Sequence, residues 1–174
     1  MNKKAIPFAI ASSVYEIPFS FYEENGIKHI LLDLDNTLAC YKDKLPSEKT
    51  KKFIQSLKEN GYEVAIASNN TNKRVLEFAK ELGIPAYCAL RKPFSGPLKT
   101  LMRKEGFSKE DTILIGDQIL TDVYAANSAG IRAILCKPLT ELDPLWTRVN
   151  RFLSKKKMKQ LYQEPYKKLW REIP

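Results

Sequence analysis

A chain of 174 residues has room for one domain with a sizeable core and short extensions, and an apolar content of 44% excludes a chain that is disordered over most of its length. The formal net charge of +9 makes anions the expected partners, whether nucleic acid, acidic lipid or phosphorylated substrates, and no apolar run approaches the roughly 18 residues of a spanning helix. Three widely separated cysteines (Cys40, Cys88, Cys136) without CxxC spacing, and the single histidine His29, exclude a disulfide framework and a zinc site, and predict a reducing cytoplasm.

The first 27 residues form an N-terminal extension. Its start, Met1-Asn2-Lys3-Lys4, has the charge of a signal peptide, but Pro7 interrupts the short apolar stretch that follows, so neither a leader nor a span is expected. Ile6, Phe8, Ile10, Val14, Tyr15, Ile17, Phe19, Phe21 and Tyr22, broken by Pro7 and Pro18, predict short helical or extended pieces. These either pack on an edge or face of the core or make an amphipathic contact with a membrane surface.

Residues 28–142 read as an alternation of strands and helices. Ile30-Leu31-Leu32 is a buried strand that runs into Asp33-Leu34-Asp35-Asn36-Thr37-Leu38, a group that cannot continue a sheet. A helix follows over residues 46–60, with Ser47 as N-cap, Phe53, Ile54 and Leu57 as its apolar stripe, and Gly61 as its stop. Residues 63–67 make a second strand ending in Ser68-Asn69-Asn70. A helix over 73–82 turns Val75, Leu76, Phe78 and Leu82 inward and is capped by Gly83. A short strand at 86–89 leads to Arg91-Lys92-Pro93 and a helix reaching residue 105. The strand 112–115 ends in Gly116-Asp117, a helix over 120–128 is closed by Gly130, and 131–136 is a fifth strand. Alternation at this pitch predicts an α/β fold, a three-layer Rossmann-like parallel sheet with helices on both faces.

Residues 143–174 form a basic tail, with nine Lys and Arg against two Glu from position 148 onward. Trp146, Val149, Phe152, Leu153 and Leu161 recur near helical spacing with Arg148, Arg151 and Lys155-Lys156-Lys157 between them. Such an amphipathic helix rests on anionic lipid or RNA, or docks its apolar side on the domain and leaves a solvated basic face. Tyr166, Leu169, Trp170 and Ile173 either pack back on the core or serve a partner.

In a parallel α/β sheet, ligands bind beyond the carboxyl ends of the strands. Asp33 and Asp35, Ser68 and Asn69, Arg91 and Lys92, and Asp117 and Asp122 each lie just after a predicted strand. Ionised carboxylates are buried only with partners, so two of them at a strand end are best explained by a cation and a substrate between them. Two or three carboxylates completed by water suit Mg²⁺ better than zinc. Ser68 offers a hydroxyl and Asn69 a backbone N–H to an anionic group such as a phosphate, and Lys92 offers a point positive charge to stabilise it. Arg91 is either a substrate contact or a surface residue.

The ordered set Asp33-x-Asp35-x-Thr37, Ser68, Lys92 and Gly116-Asp117-x4-Asp122 resembles the four motifs of the haloacid dehalogenase-like superfamily over roughly residues 28–136. The resemblance implies that Asp33 is a nucleophile forming an aspartyl-phosphate, and that Asp35 protonates the leaving alcohol and then deprotonates water. It also implies that Asp33, the backbone carbonyl of Asp35, Asp117 and Asp122 (the last through water) hold Mg²⁺. An acid at position 35 favours a phosphatase or phosphomutase over a dehalogenase or an ion pump. Residues 39–46 are too few for a cap domain, and residues 70–91 are already used by a helix and a short strand, so the site is expected to open to solvent and to suit a bulky substrate. Within the superfamily, the segments around these motifs resemble capless subclass IIIA enzymes related to phosphatidylglycerophosphate phosphatase. That implies a Mg²⁺-dependent phosphomonoester hydrolase, cytoplasmic or peripheral at an anionic membrane, with a lipid headgroup phosphate as candidate substrate. The reading from a different class is an RNA- or ribosome-associated basic protein that retains the fold and uses its tail.

Overall fold

The computed structural model describes residues 2–71, 73–140, 154 and 156–173. The expected basic amphipathic helix from Trp146 to Leu161 lies outside them at residues 146–153 and 155.

Seven strands form one parallel sheet: β1 (Ala9–Ala11), β2 (His29–Leu32), β3 (Glu63–Ala67), β4 (Ala86–Tyr87), β5 (Thr112–Gly116), β6 (Arg132–Cys136) and β7 (Arg171–Glu172). Their order is β4-β3-β2-β5-β6-β1-β7, with Leu31 opposite Ala65 on one side and Leu114 on the other. Five α-helices lying wholly within the described residues accompany them: α1 (Phe19–Glu24), α2 (Glu48–Glu59), α3 (Lys73–Leu82), α4 (Ser95–Glu105) and α5 (Tyr124–Ala129); residues 156–161 are helical as well.

Because side chains alternate across a strand, the sheet sorts its own residues into two cores. Ile30, Leu32, Val64, Ile66, Ile113, Ile115 and Ile134 face one way, against Tyr22 of α1, Ile54 and Leu57 of α2, and Val75, Phe78 and Leu82 of α3. Leu31, Ala65, Ala67, Leu114, Ala133 and Leu135 face the other way, against Leu98, Leu101 and Met102 of α4 and Ala125, Ala126 and Ala129 of α5. Strands covered on both faces need apolar residues at every position, which is why β2 and β5 read as continuous apolar runs.

Most elements fall where the pattern places them, and the parallel sheet with helices on both faces matches the expected class. Ser47 caps α2 by accepting from the Thr50 N–H at 3.1 Å. One expected core residue is corrected. Leu76 is 54% exposed, because the buried stripe of α3 runs Val75, Phe78, Ala79, Leu82 and position 76 sits about 100° round the helix from Val75.

Both ends of the chain contribute to the sheet. β1 pairs with β6 and β7 pairs with β1. From the C-terminal stretch, Leu161, Trp170 and Ile173 are buried, with the Trp170 indole N–H donating to the Leu161 carbonyl at 2.9 Å, whereas Leu169 is exposed. Tyr15, from the N-terminal extension, donates its hydroxyl to the Leu38 carbonyl and lies 2.9 Å from the Thr50 hydroxyl, bracing the loop after β2 against the start of α2.

Chain order places the crevice. From β2 the chain moves outward through β3 and β4, then returns to β5 on the opposite side of β2 and continues to β6. Connections therefore diverge between the carboxyl ends of β2 and β5, where a doubly wound sheet opens a ligand site. Asp33 follows β2, and Asp117 follows β5.

Candidate active site

Asp33 leaves β2 with its N–H still bonded to the Ile115 carbonyl, so the sheet holds the residue while its side chain passes the strand end. Asp33, Asp117 and Asp122 are all buried, and one carboxylate oxygen from each lies within 4.8 Å of the other two. Gly116 makes this possible. A Cβ at position 116 would stand 2.3 Å from Asp122 Cγ, so any side chain there would displace the carboxylate. Residues 119–123 then form a π-helical turn, in which the N–H groups of Asp122 and Val123 both donate to the Gln118 carbonyl. This turn folds Asp122 back over the strand end, where it also accepts from the Gln118 N–H at 3.1 Å and the Thr121 hydroxyl at 3.3 Å.

Lys92 joins these acids. Its ammonium donates to Asp33 Oδ1 at 2.8 Å, Asp122 Oδ1 at 2.6 Å and the Ala67 carbonyl at 2.7 Å, using all three protons in a side chain that is 1% exposed. The two carboxylates hold its pKa above the ordinary lysine value against the opposing effect of burial. At Asp33, burial pushes the carboxyl pKa well above its usual range; Lys92 opposes this, while Asp122 and Asp117 add to it. Three acids within reach of one another and one ammonium leave an excess of negative charge, which is the charge balance and hard-oxygen chemistry that suit a divalent cation.

The loop that delivers Lys92 is tied to its neighbour. Ala89 and Arg91 have positive φ angles of 55° and 49°, a conformation that side chains resist, and the loop is held by Leu90 N–H to the Ser68 carbonyl and Ala89 N–H to the Asn70 carbonyl. Asn69 completes the clamp with its side chain: Oδ1 accepts from the Lys92 N–H at 2.6 Å and Nδ2 donates to the Lys92 carbonyl at 2.8 Å. Its sequence position suggests only a backbone N–H, whereas the amide group acts as a peptide-like splint. Ser68 is buried, and its Oγ accepts from the Asn70 N–H at 3.0 Å, which leaves the hydroxyl proton available to another acceptor. Arg91 is exposed.

Asp35 stands apart from the acid cluster in its contacts. Its Oδ1 receives Arg74 Nη1 at 2.6 Å, and its Oδ2 lies 3.5 Å from Asn70 Nδ2. Arg74, in the first turn of α3, also donates to the carbonyls of Cys40 and Asp43, so one guanidinium ties Asp35 to the loop that follows it. Asn36, at φ 63°, makes the turn next to Asp35 and accepts from the Leu139 N–H and the Thr140 hydroxyl of the loop after β6. Sequence reasoning missed Arg74; an arginine one residue into a helix that starts from the active end of the sheet is the signal that was available.

The structure thus gathers Asp33, Lys92, Asp117 and Asp122 into one cluster, sets Ser68 and Asn69 beside Lys92, and holds Asp35 on Arg74. Among the described residues, no domain is inserted between β2 and α2 or between β3 and β4.

A family profile described as "Haloacid dehalogenase-like hydrolase" matches residues 40–136, a span that contains Ser68, Lys92, Asp117 and Asp122. The chain is 33% identical over 156 residues, 90% of its own length and 91% of the other's, to the Bacillus subtilis (strain 168) protein named "Probable phosphatase YqeG". It is 29% identical over 113 residues to a phosphoglycolate phosphatase of Haemophilus influenzae (strain 86-028NP), covering 55% of this chain and half of that one. Among solved structures, the fold resembles a Vibrio cholerae protein described as a candidate 3-deoxy-D-manno-octulosonate 8-phosphate phosphatase (TM-score 0.55, 20% identity, 80% of this chain and 81% of that one). It also resembles an uncharacterised Listeria monocytogenes serotype 4b protein (TM-score 0.52, 18% identity, 76% and 99%). With the strand-end acids, the lysine they share and a relative spanning nine-tenths of its length, the chain belongs to the haloacid dehalogenase-like hydrolase family, as an enzyme of its phosphatase type.

Proposed function

We propose that the chain hydrolyses phosphate monoesters through an aspartyl-phosphate on Asp33, with Mg²⁺ as the cation. The observation that carries this reading is the buried set at the switch point, in which one ammonium bridges Asp33 and Asp122 while Asp117 lies within the same cluster.

Lys92 occupies Asp33 Oδ1, which leaves Oδ2 as the attacking oxygen. That oxygen bonds to phosphorus as the bond from phosphorus to the ester oxygen breaks, and the departing alkoxide takes a proton from the Asp35 carboxyl. Water then loses a proton to Asp35 as its oxygen bonds to phosphorus, the acyl-phosphate bond breaks, and inorganic phosphate leaves with Asp33 restored. Arg74 aims Asp35 through both stages. Lys92 stabilises charge on the phosphoryl oxygens, and the Ser68 hydroxyl and Asn69 N–H bind them. The carboxylates of Asp33 and Asp117, the carbonyl of Asp35 and, through water, the carboxylate of Asp122 would hold Mg²⁺, which supplies charge neutralisation at the phosphoryl group when bound.

The absence of an inserted cap among the described residues supports a substrate too bulky to enclose, and a lipid headgroup phosphate such as phosphatidylglycerophosphate is the candidate. The test is phosphate release from a panel of lipid, nucleotide and sugar phosphates, with and without Mg²⁺ and liposomes. Release from none of them, or release that Asp33→Asn leaves intact, rejects the reading. The RNA-associated alternative predicts instead an RNA affinity that falls steeply with salt and needs none of the acids.

A further inference from the structure

Six large apolar side chains are exposed among the described residues. Three of them, Leu45 (63% exposed), Phe94 (72%) and Leu139 (38%), lie on loops that leave the carboxyl ends of the strands, and Leu76 is in the first turn of α3 at the same end. In a parallel sheet all these loops share one side of the molecule. Each of the three is tied to the active site by contacts already described. Leu45 is in the loop whose Cys40 and Asp43 carbonyls are held by Arg74, Phe94 follows Lys92 by two residues, and Leu139 donates its N–H to Asn36 beside Asp35. Four of the six exposed apolar groups therefore lie at the end of the sheet that carries the active site.

Among the described residues the charge on the same loops is mostly positive: Lys42, Lys44, Arg91 and Lys137 are exposed there, against Asp43 on these loops and Glu16 on the segment after β1. An exposed apolar set costs solubility unless something covers it, and mixing apolar tips with cations matches a surface that is oily below and anionic above. An acidic protein groove would be met by the cations without needing three apolar tips on three separate loops.

We propose that the mouth of the active site is a docking surface for an anionic lipid bilayer, into which Leu45, Phe94 and Leu139 insert while the basic loop residues meet the headgroups. Docked this way, the bilayer closes the open site and presents a headgroup phosphate to Asp33; that consequence rests on the phosphomonoesterase reading, whereas the docking does not.

The experiment is co-sedimentation of the full chain with vesicles of phosphatidylcholine alone or mixed with phosphatidylglycerol, with turnover of p-nitrophenyl phosphate as a check that the site is intact. Wild type is expected to partition onto the mixed vesicles and at least tenfold less onto phosphatidylcholine alone. The combined variant Leu45→Ser, Phe94→Ser, Leu139→Ser loses at least about tenfold in partition at ordinary soluble turnover, and Lys42→Glu with Lys44→Glu, which leaves the apolar tips in place, loses severalfold. Retained binding in both variants, with loss instead on replacing Lys156, Lys157 and Lys159 by Ser, assigns membrane contact to the C-terminal stretch and overturns the proposal. Failure of wild type to bind either vesicle overturns it too, as does self-association that the triple apolar variant abolishes. Vesicle binding that depends on the rim, in a protein that releases phosphate from nothing, upholds the docking and rejects the phosphomonoesterase reading; turnover without vesicle binding does the reverse.

Discussion

Replacing Asp33 by Asn exchanges one carboxylate oxygen for an amide nitrogen, and the structure assigns this change two opposite effects. Asp33 is buried, shares Lys92 with Asp122, and lies in a cluster whose three acids approach within 4.8 Å. Burial, followed by the charges of Asp122 and Asp117, raises its carboxyl pKa well above the usual range despite Lys92. A folded-state pKa above the unfolded one means that the folded chain keeps a proton the unfolded chain releases. The contribution of Asp33 to stability therefore falls as pH rises from the unfolded value, near 4, through the folded one. Above that window it is a constant penalty of about 1.4 kcal/mol for each pH unit between the two values. Asn carries no such penalty. In chelator at about pH 8, Asp33→Asn should melt above wild type, by roughly 2–4 °C for each kcal/mol in a chain of this size. The gap should close as the pH is lowered toward about 4.5. Added Mg²⁺ should raise the melting temperature of wild type more than that of the variant. Turnover of any active phosphate ester should fall by at least about 10³-fold. Thermal melts across this pH range, with chelator and with Mg²⁺, together with phosphate release, measure all of these. A variant less stable than wild type in chelator at every pH, or one that keeps its turnover, would refute the reasoning.

Gly116→Ala places a methyl group where Asp122 Cγ lies 2.3 Å away, so the Lys92 bridge must open; the expected outcome is a loss of about 1–3 kcal/mol in denaturant melts and weaker Mg²⁺ binding by calorimetry. Arg74→Ala frees Asp35 from its guanidinium, and kcat should fall by about 10–100-fold for an alkyl phosphate but much less for p-nitrophenyl phosphate, whose leaving group needs no acid; an equal loss on both substrates would mean that Arg74 acts otherwise. Lys92→Met removes the donor shared by Asp33 and Asp122, so about 10²–10³ in kcat should be lost and not restored by saturating Mg²⁺ in steady-state assays. Trp170→Ala, far from the acids, should cost about 3 kcal/mol in stability while leaving the KM for p-nitrophenyl phosphate unchanged.

The strands and helices that follow one another along the chain were legible because each carries its own period. β3 and α3 fall at residues 63–67 and 73–82, as the pattern predicts. The acids were legible for a related reason: a carboxylate just after an apolar run marks a strand end, and a parallel sheet gathers strand ends on one side. What was not legible depends on distant residues. β1 and β7 are three and two residues long, too short for a period, and exist through pairing with β6 and with each other. Arg74 meets partners 31 to 39 positions away, so no local spacing connects it to Asp35, Cys40 and Asp43. The π-helical turn at residues 119–123 looks like the start of an ordinary helix in sequence; the room to fold Asp122 over Gly116 shows only in three dimensions. Leu76 went astray because an apolar residue beside a stripe resembles part of it.

The central claim is that Asp33 itself takes the phosphoryl group. The direct measurement is mass spectrometry of the peptide carrying Asp33, from enzyme mixed with a hydrolysed substrate and Mg²⁺ and quenched in acid within one turnover. The account predicts a phosphoryl group on Asp33 that hydroxylamine removes and that Asp33→Asn lacks. A phosphoryl group on a different residue, formed equally well by the Asp33→Asn protein, would contradict it.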